Sequence, residues 1–515
     1  MMVARSVTMA TRARGSLLVV AALSAVSSGS SIHQAAPAAM THVDLMVANA
    51  TGPWAGFRIP GFAAVRGHLL VFAEARTAGQ GCADFGHHDL VMRRSTDDGA
   101  SWEPLRVIMN PDKSFSDCNA TEALPCTHAE RVQGNCQTGL GRQCDGGCAV
   151  WDPMPVVDNR TGAIHLFFSR STSSCKGTAS TGRRGPTDKA DMWVMTSTDL
   201  GQSFGPPTNL TMNCSYPYGH GAIGSKLHGW VPSGGHGIQL STGELVAPTY
   251  NNAGQGLCIS SDSGRSWHAG GWLHGDIGPY DGPYEGEVVE LFGKTANGGP
   301  KLLYDTRIKI KSGSGHTCGP APSNSSHNVT NCRMTYTSSD LGHTVSATLL
   351  FLCVMCRNAG SERCLSFSTP SMLAAFCHAS HAVLNLPQWT SGTLHAEMPD
   401  PSCKGGIVRG AGGALFAVGA DSESLRVHDS IWASLDDGVS FPHKLRVDSS
   451  GGYSTVQMTD SGMVASVYEY AGDRWNSSVA RAGGCHIRIA MVDPAAIVPI
   501  KINEGETAAG AAAAN

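Results

Sequence analysis

Short apolar runs bounded by Gly, Asp, Asn or Pro recur along the chain. The clearest are Leu69-Leu70-Val71-Phe72-Ala73, Ile164-His165-Leu166-Phe167-Phe168, Trp193-Val194-Met195, Ile238-Gln239-Leu240, Leu245-Val246-Ala247, Val288-Val289-Glu290-Leu291 and Met463-Val464-Ala465-Ser466-Val467-Tyr468. Their length and their boundaries predict strands, and no long segment of 3.6-residue period precedes the C-terminus, so the expected class is all-β. Between the runs an eight-residue pattern, S-x-D-x-G-x-[ST]-aromatic, occurs at Ser95 to Trp102, Ser197 to Phe204, Ser260 to Trp267 and Ser434 to Phe441. A damaged fifth copy begins Ser338-Ser339-Asp340-Leu341-Gly342-His343-Thr344. Each copy predicts a hairpin turn: the Ser hydroxyl and Asp carboxylate accept from the turn's own N–H groups, Gly supplies a positive φ, and the aromatic plugs the core. One copy would be a turn, but a repeated one predicts a repeat architecture, and a propeller is the closed form that hides sheet edges.

The fifth copy lacks its aromatic. From Val345 to Gln388 strand-turn alternation is lost and four Cys cluster; deleting those 44 residues joins Thr344 to Trp389 and completes the octet. A Val codon begins GT and a Gln codon can end AG, so the segment 345–388 is read as a retained intron rather than a genuine loop insertion. Sequencing the mature transcript decides between them.

Composition narrows the setting. Gly at 62 residues, Pro at 26 and only 15% charged residues suit short strands and tight turns. With 37 basic against 41 acidic residues the formal charge is −4, which argues against a nucleic-acid or anionic-membrane footprint. Arg5, Arg12 and Arg14 precede an apolar run from Leu17 to Val26 and then small residues, the grammar of a secretory signal peptide over 1–31; the run is too short to span a bilayer. Asn-x-Ser/Thr sequons at Asn49, Asn119, Asn159, Asn209, Asn213, Asn324, Asn328 and Asn476 agree with a secretory route. Seventeen Cys then predict disulfides with at least one thiol unpaired, and the crowd at Cys118, Cys126, Cys136, Cys144 and Cys148 reads as a stapled loop rather than a metal site. The remaining domain limits are a propeller over 40–500 and a disordered tail over 501–515.

Octets alone are scaffold. Chemistry enters with Phe57-Arg58-Ile59-Pro60, where an Arg wedged among apolar residues should be buried and in need of an anion. Isolated, such an Arg would more often pair with a structural carboxylate. Trp151, Trp193 and Trp432 read as propeller core, and His87-His88 as surface or loop polar groups rather than metal ligands. No phosphate loop, nucleotide fingerprint or Ser-His-Asp arrangement is present, and no cofactor or metal is expected.

The F-R-I-P motif followed by Asp-box octets resembles the exo-α-sialidase (neuraminidase) family, with further matching stretches at Trp151-Asp152-Pro153-Met154-Pro155-Val156-Val157-Asp158 and Gly234-Gly235-His236-Gly237-Ile238-Gln239-Leu240. The likeness runs from about Phe57 to Glu469 and implies a six-bladed β-propeller that removes terminal sialic acid from glycoconjugates with retention of configuration. It also implies roles. Arg58, Arg307 in Tyr304-Asp305-Thr306-Arg307 (where the family more often has Asn-x-Arg) and Arg426 would grip the substrate carboxylate, which suits planar guanidinium forks, so Arg58→Lys is not conservative.

Tyr453 in Tyr453-Ser454 matches the nucleophile, and Glu285, opening Glu285-Gly286-Glu287-Val288-Val289-Glu290-Leu291, matches its partner. Without the motif Glu287 and Glu290 would compete with Glu285. A neutral phenol escapes the repulsion a carboxylate would meet at an already anionic anomeric centre. Asp84, in Cys82-Ala83-Asp84-Phe85-Gly86, resembles the acid/base, with Asp89 as the alternative. Arg76 matches an arginine near the ring hydroxyl, Glu469 a carboxylate that orients Arg58, and Asp152 a contact to the sugar. A trans-sialidase or related keto-sugar glycosidase, and a non-catalytic glycan-binding propeller, are the competing functions. The resemblance implies a secreted or lysosomal setting and no stable membrane span.

Overall fold

The computed structural model describes residues 40–76, 87–115, 149–171, 190–214, 230–251, 254–274, 276–277, 280–281, 284–293, 299–322, 324–338, 389, 392–471 and 485–498. The leader at 1–31, the segment 345–388, the tail and Asp84 lie outside them. Among the described residues helices are no longer than the four-residue Pro111–Ser114 and Pro494–Ile497; the rest is strands and turns, as the hydrophobic pattern requires.

The strands form antiparallel meanders in a propeller-like arrangement. Gly56–Val65, His68–Arg76, His88–Ser95 and Arg106–Met109 make one, joined by a single parallel pair, His88 opposite Ala149, to a second of Ala149–Asp158, Ala163–Ser171, Asp191–Ser197 and Thr208–Asn209. A third contains Val231–Pro232, Leu245–Asn251, Gly254–Ser260 and His268–His274. The next two comprise Gly286–Leu291, Lys301–Thr306, Cys332–Ser338 and Thr393–Pro399, then Gly406–Arg409, Leu415–Ala420, Asp429–Ser434 and His443–Arg446. In the last, Ser454–Met458, Val464–Tyr470 and His486–Val492 are completed by Met40–Met46 from the other end of the described chain. Strand alternation lets one strand feed two cores. Leu69, Val71 and Ala73 pack with Ala465, Val467, Ile487 and Ile489, whereas Leu70 and Phe72 face Ile164, Leu166 and Phe168.

The octets close the hairpins between the third and fourth strands as the sequence predicts. In the first, Ser95 Oγ accepts from Gly99 N at 2.8 Å, Asp97 Oδ1 accepts from Ser101 N at 2.8 Å, and Gly99 has φ 94°. The residue before each Gly (Asp98, Leu200, Ser263 and Asp437) is also left-handed, at φ 56° to 61°, which the pattern alone did not reveal. The aromatics plug the cores: Trp267 meets Phe167 edge-on at 4.7 Å. Trp389, the residue that would complete the damaged octet, is likewise buried against Tyr304. Disulfides join Cys214 to Cys258 and Cys318 to Cys332, and Cys403 is a free buried thiol.

Hydrogen bonds from Ser101, Ser203 and Ser266 hold the carboxyls of Asp97, Asp199 and Asp262 down at about 2 from an ordinary 3.8. A depressed carboxyl stabilises the fold above its unfolded value and loses that contribution as pH falls through the folded one. Melting temperature should therefore fall between about pH 4 and pH 2, and Asp→Asn changes at these three positions should flatten that limb. A triple variant with the wild-type acid limb would contradict this account.

Candidate active site

In each meander the first strand begins, the second ends and the third begins at one end of the sheet, while the octets occupy the other. Arg58 lies near the start of a first strand and Tyr453 and Glu285 immediately precede first strands; Arg76 ends a second strand, Arg307 follows one, and Glu469 lies one residue from the end of another. Arg426 precedes a third strand. Topology thus delivers residues far apart in sequence to one end, opposite the Asp boxes.

Tyr453 is the centre of the constellation. Its hydroxyl donates to Glu285 Oε1 at 2.8 Å and accepts from Arg307 Nη1 at 2.6 Å. Arg307 Nε also lies 2.8 Å from Glu285 Oε2. The guanidinium carbons of Arg426, Arg58 and Arg307 stand 4.9, 5.2 and 5.6 Å from the centre of the Tyr453 ring. Burial pushes the phenol well above its ordinary value, Glu285 adds to that rise, and the three arginines oppose it. The shift favours the protonated phenol, and the Glu285 carboxylate stands within reach of its proton.

Arg58 is held by Glu469, whose Oε1 accepts from Arg58 Nε at 3.0 Å and from Ile59 N at 2.9 Å. The other oxygen accepts from Arg58 Nη2 and from Tyr453 N, each at 3.2 Å. The strand is irregular between Arg58 and Gly61, and Ile59 has φ 56°, so the F-R-I-P segment is a bulge that turns two successive donors onto one carboxylate. This is the counter-ion that the buried Arg required.

A second group flanks the first. Arg76 donates to Glu74 Oε2 from Nη2 at 2.6 Å, and Asp152 N donates to Glu74 Oε1 at 2.9 Å. Asp152 sits at φ 53°, where burial, and then the charges of Glu74 and Glu285, push its carboxyl well above the ordinary range. His87 and His88 are both buried, not the surface groups expected: His87 Nε2 lies 3.1 Å from Asp89, and His88 Nδ1 lies 3.4 Å from Glu74. His87 thus has a hydrogen-bonding partner in Asp89, whereas His88 faces Glu74 without a hydrogen bond of good geometry. Asp89 is committed to His87 and to Trp54 Nε1, the latter at 3.0 Å. Trp432 is core as expected, while Trp151 and Trp193 are only partly buried.

The three glutamates of the motif have separate partners. Glu285 meets Tyr453, Glu287 meets Lys404 and His236, and Glu290 takes Ser241 at the far end of the strand.

Residues 59–290 match a BNR repeat-like domain. Sialidase-4 of Mus musculus is 30% identical over 140 residues, covering 23% of this chain and 27% of that protein. Sialidase-4 of Homo sapiens is 29% identical over 226 residues, covering 39% and 37%. Among solved structures the Hadza microbial sialidase Hz136 matches with a TM-score of 0.54 at 21% identity, over 86% of this chain and 67% of that one. The chain is thus similar to sialidases in sequence, and over residues 59–290 to a BNR repeat-like domain. It spans 27% and 37% of the length of those two curated relatives.

Sequence reasoning missed Glu74, Tyr250 and Lys404. Glu74 stands two residues before Arg76 and could have been found from strand alternation, which turns both side chains to one face. Tyr250 is pushed well above its ordinary value by burial and by the charges of Asp152 and Glu285, which places its phenol in the same electrostatic environment. It carried no motif signal. Among the described residues no group of His, Cys, Asp and Glu could hold a metal ion.

Proposed function

We propose that the protein is an exo-α-sialidase acting on sialylated glycoproteins, glycolipids or oligosaccharides, built as a six-bladed propeller and directed into the secretory pathway by residues 1–31. The observation that carries this reading is the Tyr453 hydroxyl held between Glu285 and Arg307 with two further arginines around its ring. A lectin needs the cations but has no use for a phenol poised on a carboxylate.

In the proposed reaction Arg58, Arg307 and Arg426 bind the carboxylate on the anomeric carbon. Tyr453 oxygen attacks that carbon as its proton passes to Glu285, and Asp84 protonates the departing glycosidic oxygen. Water activated by Asp84 then cleaves the tyrosyl–sugar bond and releases sialic acid with its configuration retained. Arg76 and Asp152 are assigned to the ring substituents; burial favours the neutral carboxyl of Asp152, a form that can donate to a sugar hydroxyl as well as accept from one.

Incubation with a fluorogenic α-sialoside tests the activity, and proton NMR of the first-formed product tests the stereochemistry. Release of α-sialic acid before mutarotation is expected. A β-product would remove Tyr453 from its role, and no release from any sialoside would end the assignment.

A further inference from the structure

Directly behind the nucleophile lies a buried charge cluster that the reaction above does not use. Lys404 precedes the first strand of one meander, and its Nζ donates to Glu287 Oε1 at 2.7 Å and to the Gly405 and Ser454 carbonyls, each at 3.1 Å. The Lys404 carbonyl accepts from Ser454 N at 3.1 Å. One lysine therefore grips the residue after Tyr453 through both its N–H and its C=O. Glu287 Oε2 in turn accepts from Ile407 N at 3.0 Å and lies 3.0 Å from His236 Nδ1. Lys404, Glu287 and His236 are all buried. The space they occupy is reserved by Gly235, which has φ 74°; a Cβ there would collide with both Glu287 Oε1 and Lys404 Nζ. His236 also lines a cavity of about 280 Å³ with Phe62, Pro155 and Gln457.

A buried ion pair is a poor device for stability, because hydrophobic residues of similar volume often serve as well or better. Its value lies in fixing one geometry. Here the geometry fixed is that of the peptide carrying Tyr453, whose own N–H and C=O are held from the other side by the Glu469 carboxylate and the Glu469 N–H. We propose that Lys404 and Glu287 are a positioning pair that holds Ser454, the residue after Tyr453, by its carbonyl, so that the phenol stays aimed between Glu285 and Arg307. Both are occupied by protein partners and have no part in the proposed reaction. The pair acts through the backbone of the nucleophile, where an error of about 1 Å can cost on the order of a hundredfold in rate.

The kinetic part of this inference rests on sialoside hydrolysis; its structural part does not. Glu287→Gln and Lys404→Met each leave one buried charge alone and should lower the melting temperature. The double variant Glu287→Gln/Lys404→Met removes both charges of the pair and should recover most of that loss. Its kcat should nevertheless stay at least about tenfold below wild type with KM changed less than about threefold, because the three arginines are untouched. In its crystal structure the Tyr453 hydroxyl should have left hydrogen-bonding distance of Glu285. Recovery of wild-type kcat along with stability would overturn the proposal, and so would an undisplaced Tyr453 whatever the rate. If wild type turns over no sialoside, the hydrolase reading fails and the position of Tyr453 in the double variant alone decides this one.

Discussion

Tyr453→Phe should abolish sialoside turnover, with kcat at least about three orders of magnitude below wild type, and should leave the fold intact. The change deletes one oxygen. It removes the atom that would bond to the anomeric carbon, and the remaining arginines and carboxyls cannot replace a covalent step. Stability should fall only slightly, by about 1–2 kcal/mol, because Glu285 and Arg307 keep each other as partners at 2.8 Å when the hydroxyl is gone. Circular dichroism, thermal melting and the fluorogenic assay measure the two effects separately. Turnover within tenfold of wild type would show that another group attacks.

The second large effect belongs to Glu469. Glu469→Gln keeps the shape but removes the charge that four donors share: Arg58 Nε, Arg58 Nη2, Ile59 N and Tyr453 N. Arg58 then stands buried beside Arg307 and Arg426 without its counter-ion, and breaking a buried pair in this way costs about 3–5 kcal/mol. The bulge at Ile59 loses an acceptor at the same moment, so F-R-I-P should no longer hold Arg58 in place. Urea unfolding should show the loss of stability, and kcat/KM should drop together with it. Wild-type urea stability in the variant would mean that the three arginines are not crowded enough to need Glu469.

How far the sequence reaches can be judged residue by residue. Octets and apolar runs foretold turns and strands because each is a local preference repeated with one spacing. Arg58 was legible since an Arg among Phe, Ile and Pro demands an anion, yet only the family resemblance singled out Glu469, more than four hundred residues away. Glu285 could not be separated from Glu287 by pattern: alternation sends both to the same face, and only depth distinguishes them, one meeting Tyr453 and the other Lys404. Lys404 itself carried no signal, because a lone Lys between Cys and Gly reads as a surface loop until the neighbouring meander covers it. His87 and His88 misled for the complementary reason. Polar side chains predict exposure by default, and two buried acceptors, Asp89 and Glu74, reversed it.

The pairing of Met40–Met46 with His486–Val492 reaches beyond the site. Ala48 N donates to His486 Nδ1 across 438 positions of sequence. Among the described residues Met40–Met46 pairs with His486–Val492, so during translation it has no sheet partner until a segment more than four hundred positions later has been made. Closure is thus a late event of high contact order, and slow. Glu469 follows the same timetable: Arg58 emerges early and stays uncompensated until the final sheet is made. Arg58 and the first strand thus depend on partners made more than four hundred positions later, which makes assembly, more than the finished fold, the stage at which substitutions in the last sheet would cause aggregation.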